Sequence, residues 1–202
     1  MNSCADHSAG NPGITQSNKL LARCLAEAFQ SRTQVSRYWD DNQVSSVDIM
    51  ASENSPQRNV TSYSTIGLSD HPLMRNGVDT GLRTELVGAC GAAFGDYPNI
   101  LATAAFNIIN SGWYCEPGIV FPDVAAMYRK NGNLAHVLFI TPFLWDRLET
   151  ENLSDKTVAW LQVVPISEEE CRYSEKHGSS ALEGLFEKAK IDVFNLDRHS
   201  VV

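Results

Sequence analysis

The sequence predicts an α+β fold: a single domain in which a mixed β-sheet is flanked by α-helices. Strand-like and helix-like segments are interspersed without the regular βαβ alternation of a doubly wound sheet. The 202 residues suit one domain with at most a loose end. Hydrophobic residues make up 43% of the chain against 20% charged, enough to build an ordinary globular core. No internal repeat or low-complexity tract interrupts the pattern.

Taken in order, residues 1–17 are small, polar and Gly/Pro-bearing, and are read as a flexible segment ahead of a domain spanning 18–202. From 18 to 31, Leu20, Leu21, Cys24, Leu25, Ala28 and Phe29 recur at helical spacing and predict an amphipathic helix. Segments 34–40, 44–50 and 60–68 carry β-branched and aromatic residues between Asn, Ser and Pro punctuation, as strands do. After the turn-forming run RNGVDTG comes a further strand at 83–89. The segment 99–110, NILATAAFNIIN, stops at Ser111 and Gly112, a helix closed by a glycine. Residues 113–122 mix aromatics with turn formers and are expected to cross the surface before a short strand at 125–128. Two strong strands follow at 136–141 and 158–165, joined by an acidic connection. Ser167 with Glu170 three residues on is a capping-box signature for a helix to 176, and Ser179 or Ser180 opens another to 190.

Charge narrows the function classes. Against 24 acids stand 16 bases, a net charge of −8, which argues against holding a phosphate backbone or an anionic membrane. A basic protein is the natural complement. Residues 146–192 hold eleven acids and six bases, and so −5 of that total. The first residues lack a basic stretch followed by an apolar one, and no apolar run approaches the roughly 18 residues that span a bilayer. The five cysteines, Cys4, Cys24, Cys90, Cys115 and Cys171, are odd in number and widely spaced. These features together point to a cytoplasmic protein with reduced thiols.

The usual catalytic signatures, GxGxxG, Walker A, HExxH and GxSxG, are missing from the sequence. In GLSDH at 67–71, adjacent side chains at a strand end face opposite ways and do not converge as a triad. Ser69 and Asp70 are read instead as caps for backbone N–H groups. A metal site would have to gather His71, Cys90, Cys115 and His136 from far apart, so no metal and no cofactor are expected. Trp39, Trp113, Trp145 and Trp160 are read as core residues rather than a stacking platform for nucleic-acid bases.

Several segments, in order, resemble the Suppressor-of-fused (SUFU) domain family, found in eukaryotic Hedgehog signalling and widely in bacteria. They are TSYSTIGLSD at 61–70, RTELV at 83–87, Pro117 with Gly118, HVLF at 136–139, PFLW at 142–145, WLQVVPI at 160–166 with Ser167 and Glu170, and IDVFN at 191–195 after Leu182 and Leu185. The resemblance spans about 18–200, and its most specific parts are the Gly-Leu-Ser-Asp and Trp-Leu-Gln-Val-Val elements. It implies a non-catalytic protein-binding domain similar to the short bacterial immunity proteins, which neutralise a cognate toxin, often a nuclease, by binding it. The eukaryotic relatives clamp a transcription factor with the help of a second domain, and that mode is not carried over. Candidate contact residues are Ser69, Asp70 and Glu85 of the matching turn and strand, the aromatic Trp145, and Asp146, Glu149 and Glu151 after it. Two other readings stand beside this one: a regulatory scaffold for a transcription factor or signalling protein, and an enzyme with a scattered Cys/His metal site.

Overall fold

A computed structural model describes residues 14–202. Its helices are α1 (Gln16–Phe29), α2 (Tyr97–Ser111), α3 (Glu168–His177) and α4 (Ser179–Ala189). The main-sheet strands up to α2 are β1 (Thr33–Trp39), β2 (Ser46–Glu53), β3 (Val60–Ile66) and β6 (Leu82–Gly91). Between β3 and β6 lies a small separate hairpin, β4 (Met74–Arg75) with β5 (Val78–Asp79). After α2 come β7 (Val120–Phe121), β8 (Leu134–Ile140), β9 (Glu151–Asn152) and β10 (Thr157–Ser167). The main sheet has eight strands in the order β1-β2-β3-β6-β10-β8-β7, with β9 on β10. Every pairing is antiparallel except β6 with β10, so the sheet is mixed as expected.

Alternation along the strands sorts the core into layers. On β10, Leu161 and Val163 join Leu86, Val137, Phe139 and the apolar face of α2. Val158 and Trp160, one face over, pack with Leu21, Leu25 and Phe29 of α1. Further along that same face Val164 and Ile166 meet Leu182 and Phe186 of α4. The sheet thus carries α2 on one side, and α1 and the α3–α4 pair on the other.

The helix ends follow the local chemistry read from the sequence. Gly112 closes α2 at φ 65, a left-handed conformation that costs glycine little. Ser167 caps α3, its side chain accepting from the Glu170 N–H while Glu170 accepts from the Ser167 N–H. The N-terminal expectation is revised in part. Residues 1–13, Cys4 among them, lie outside the described residues, but α1 already starts at Gln16 with Thr15 as its cap, and Ser17 is buried. The strand expected at 125–128 is not there. Ala125 and Ala126 both donate to the carbonyl of Ala135, while Met127, Tyr128 and Arg129 donate back three or four residues, so the segment is a run of turns. The short strand lies earlier, at Val120–Phe121. The tryptophans divide: Trp145 and Trp160 are core, whereas Trp39 and Trp113 are 50% and 38% exposed.

One glycine is required by a close approach. The Tyr97 hydroxyl donates to the Val163 carbonyl at 2.6 Å, and its ring lies directly over Gly88. A methyl at Gly88 would come within 1.9 Å of the Tyr97 oxygen. Gly88→Ala is therefore expected to destabilise the fold by about 1–3 kcal/mol through overpacking. A urea midpoint equal to the parent's would show that the ring moves aside freely.

Candidate functional site

The site grows from the turn between β3 and the β4–β5 hairpin. Gly67 adopts φ 98, which lets the chain leave β3 and enter the single 3-10 turn Leu68–Asp70. The N–H groups thus turned inward are met by Glu85 of β6. Its Oε1 accepts from Gly67 N at 2.9 Å and Ser69 N at 3.0 Å, and its Oε2 accepts from the Thr65 hydroxyl at 2.5 Å. Glu85 is fully buried, and burial pushes its carboxyl above the usual carboxylate range against the pull of these hydrogen bonds. The capping role assigned from sequence to Ser69 and Asp70 therefore belongs to Glu85. Ser69 and Asp70 lie within the turn that it holds.

Asp70 instead faces outward and ties three segments together. Its carboxylate accepts from Asn18 Nδ2 of α1 at 2.7 Å and from Lys156 Nζ at 2.5 Å. Ser17 of α1 donates to Asp155 at 2.8 Å. The Cys24 thiol is raised to about 11, first by burial and then by Glu151 beside it. The turn, one side of α1 and the acidic connection before β10 thus form one surface. Beside it a cleft of 640 Å³ runs between α1 and the first strands, lined by Asn18, Lys19, Val35, Arg37, Asp48 and Asp70 among others.

The expected contact residues divide between surface and interior. Asp146 and Glu149 are exposed, Glu151 is half-buried and Asp70 is 36% exposed at its side chain. Ser69 and Glu85 are fully buried and Trp145 is 5% exposed, which corrects their reading as direct contacts. Trp145 packs on Phe29 with ring centroids 5.5 Å apart and donates its indole N–H to Ser62 at 3.1 Å, so it supports the surface from beneath. In the same PFLW motif it is Phe143 that points out, 58% exposed. The sequence reading did not single out Asn18, Lys156 or Phe143. A lysine 86 residues from its carboxylate leaves no local trace.

The histidines and cysteines weighed as a metal site stay apart. Among the described residues no group of three or more His, Cys, Asp or Glu side chains is placed to hold a metal, and His71, Cys90, Cys115 and His136 are not brought together. His136 has its own structural duty, its Nδ1 accepting from the Asp123 N–H while Nε2 meets Glu168 at 2.8 Å. Burial raises the Cys90 and Cys115 thiols to about 12, where thiolate is scarce at neutral pH. The sheet ends in β1 on one side and β7 on the other, so β1 has an outer edge with no strand beside it among the described residues.

Comparison with known proteins agrees with this architecture. The family model described as Suppressor of fused protein (SUFU) matches residues 43–199. Immunity protein YqcF of Bacillus subtilis (strain 168) is 47% identical over 191 residues, which cover 94% of this chain and 100% of that protein. Among solved structures, a SUFU homologue from Neisseria gonorrhoeae FA 1090 superposes with a TM-score of 0.69 at 15% identity, covering 92% of this chain and 96% of that one. A chain of a Sufu–Fu complex superposes with a TM-score of 0.65 at 15% identity, covering 94% and 92%.

Proposed function

The chain belongs to the Suppressor of fused family, and on that footing we propose that it is a non-catalytic immunity protein that neutralises a cognate toxin by binding it directly in the cytoplasm. The observation that carries this reading is the 47% identity, over nearly the whole length of both chains, to a protein named an immunity protein. The Sufu–Fu complex among its structural neighbours supports binding to another protein as the use of this fold. The regulatory-scaffold reading shares that use and differs only in the partner.

The physical properties suit a basic toxin. A nuclease must carry positive charge to hold phosphates, and a chain of net charge −8 is steered toward such a groove. The exposed Asp146 and Glu149, with Glu151 beside them, are the acids best placed for this on the surface around the turn.

Two measurements test the proposal. Tagged protein is used to capture its partner from the native host, and the partner, identified by mass spectrometry, is then expressed alone and together with this chain. The expected result is a basic protein that stops growth alone and is harmless in the pair; a partner without toxicity overturns the reading. Changing Asp146, Glu149 and Glu151 together to Lys is expected to weaken toxin binding at least tenfold, mostly through a slower, less salt-sensitive on-rate. Unchanged affinity in a folded variant removes this segment from the interface.

A further inference from the structure

A second hollow, of 280 Å³, lies on the far side of β1, between the β1–β2 turn and α2. Its aromatic and apolar walls come from Tyr38, Trp39, Phe106, Met127 and Tyr128. Trp39 is 50% exposed and Met127 57%, an uncommon amount of large apolar surface to leave in water around one small hollow. Among the described residues that line it, the charged ones are Asp40 and Asp41. The cations beside its lining residues in the chain are turned elsewhere: Arg37 pairs with Asp48, Arg129 pairs with Asp197 and stacks on Phe94, and Lys130 borders a separate hollow.

The walls are held in place by bonds that leave the charge available. Asp40 Oδ1 accepts from Val44 N at 2.8 Å and Ser45 N at 3.2 Å, and its Oδ2 accepts from Asn110 Nδ2 of α2 at 3.0 Å. Ser45 donates to Asn110 at 2.6 Å, and Tyr128 is tied to Thr103 of α2 by a hydroxyl pair at 2.6 Å. Asp41 is exposed, and its carboxylate has no partner among the described residues. The volume falls just under the roughly 300–1,000 Å³ typical of pockets for whole small ligands and suits one long side chain.

From this geometry we infer that the hollow receives an arginine side chain of the toxin, its guanidinium lying against the aromatic walls and paired with Asp41. The inference rests on the immunity reading for the identity of the partner, but the chemistry of the hollow stands without it. A planar cation over an aromatic face gains roughly 0.5–2 kcal/mol as it loses water. The two carboxylates supply the opposite charge, and guanidinium suits such a fork better than a lysine ammonium. Arginine and tryptophan are also the residue types that most often dominate interfaces.

The test separates the hollow from the partner. N-acetyl-arginine methylamide is titrated at low salt into the full chain, with the neutral citrulline analogue as control, while backbone and indole NMR signals are followed. The expected result is saturable shifts at Trp39, Asp41, Met127 and Tyr128 with arginine only, lost in Asp41→Lys and in Trp39→Ala. No shifts at these residues, or equal shifts with citrulline, overturn the inference. With the toxin recovered by capture, Asp41→Lys is expected to bind at least tenfold more weakly at an unchanged melting temperature. Affinity within twofold of the parent overturns the hollow as a toxin contact and leaves the immunity reading intact. A parent protein that binds no toxin overturns that reading, while the arginine titration still decides whether the hollow takes a guanidinium.

Discussion

Glu85→Ala is expected to lose about 2–4 kcal/mol of stability and, with it, much of the affinity for the partner. The carboxylate is fully buried and holds three donors: the N–H groups of Gly67 and Ser69 and the hydroxyl of Thr65. Removing it strands those donors, each buried orphan costing about 1–3 kcal/mol, partly offset because a costly buried acid is also gone. Thr65 has an alternative in the Leu86 carbonyl at 3.4 Å, but the two amides have no other acceptor among the described residues. The turn that sets Asp70 against Asn18 and Lys156 then loosens, so surface and stability fail together. Glu85→Gln separates charge from shape. Its amide oxygen accepts from both N–H groups and its NH2 donates to Thr65, so the cost should stay under about 1.5 kcal/mol.

The pH dependence of the two proteins gives a second readout on the same residue. Because burial raises the Glu85 carboxyl in the folded chain, the native state holds that proton more tightly than the unfolded one does. Its contribution to stability is complete below the ordinary carboxyl value of 4.5 and is lost as pH rises through the raised folded value. Urea melts from pH 4 upward should show a decline in the parent that is absent from the Gln variant. Identical pH profiles for the two would sink this account of Glu85.

What could be read from the chain beforehand follows how local each interaction is. The capping box at Ser167 and Glu170 spans three residues, and the glycine stop of α2 sits beside the helix that it ends, so both were legible. The strands read at 60–68 and 158–165 are likewise marked by their own β-branched and aromatic residues, and they form as β3 and β10. The Gly-Leu-Ser-Asp turn is legible in the sequence, but the residue that caps it is not. Glu85 reaches it from 16 to 18 positions away, and nothing between them signals the pairing. Trp145 and Trp39 show the same limit from the other side. Composition gives both as large apolar residues, and only strand order decides that Trp145 is covered by α1 while Trp39 ends an outer strand. The segment 125–128 reads as a strand by residue type, but its N–H groups are taken by Ala135 and by its own carbonyls.

Arg198→Ala should be more damaging than the loss of Glu85, at about 3–5 kcal/mol, the range for breaking a buried ion pair from one side. Arg198 is 7% exposed and Glu170 is fully buried. The guanidinium donates to both carboxylate oxygens, at 2.6 and 2.9 Å, and also to the Pro165 carbonyl at 3.1 Å. Its carbon lies 5.1 Å from the centre of the Phe186 ring. The same carboxylate caps α3 through Ser167 and accepts from the Val201 N–H, so one ion pair fastens the last residues of the chain to the start of α3. Truncating the arginine leaves the acid uncompensated in the interior and frees the tail that covers it. Lysine in its place keeps the charge but not the two-pronged geometry, and an intermediate loss is expected. Replacing both partners, as in Glu170→Leu with Arg198→Met, removes the stranded charge and should be milder than Arg198→Ala alone, though the Glu170 half of the capping box is lost. Urea melts of these four proteins decide the matter: if Arg198→Ala matches the parent to within about 1 kcal/mol, the pair is not desolvated in solution and the tail is not held by it.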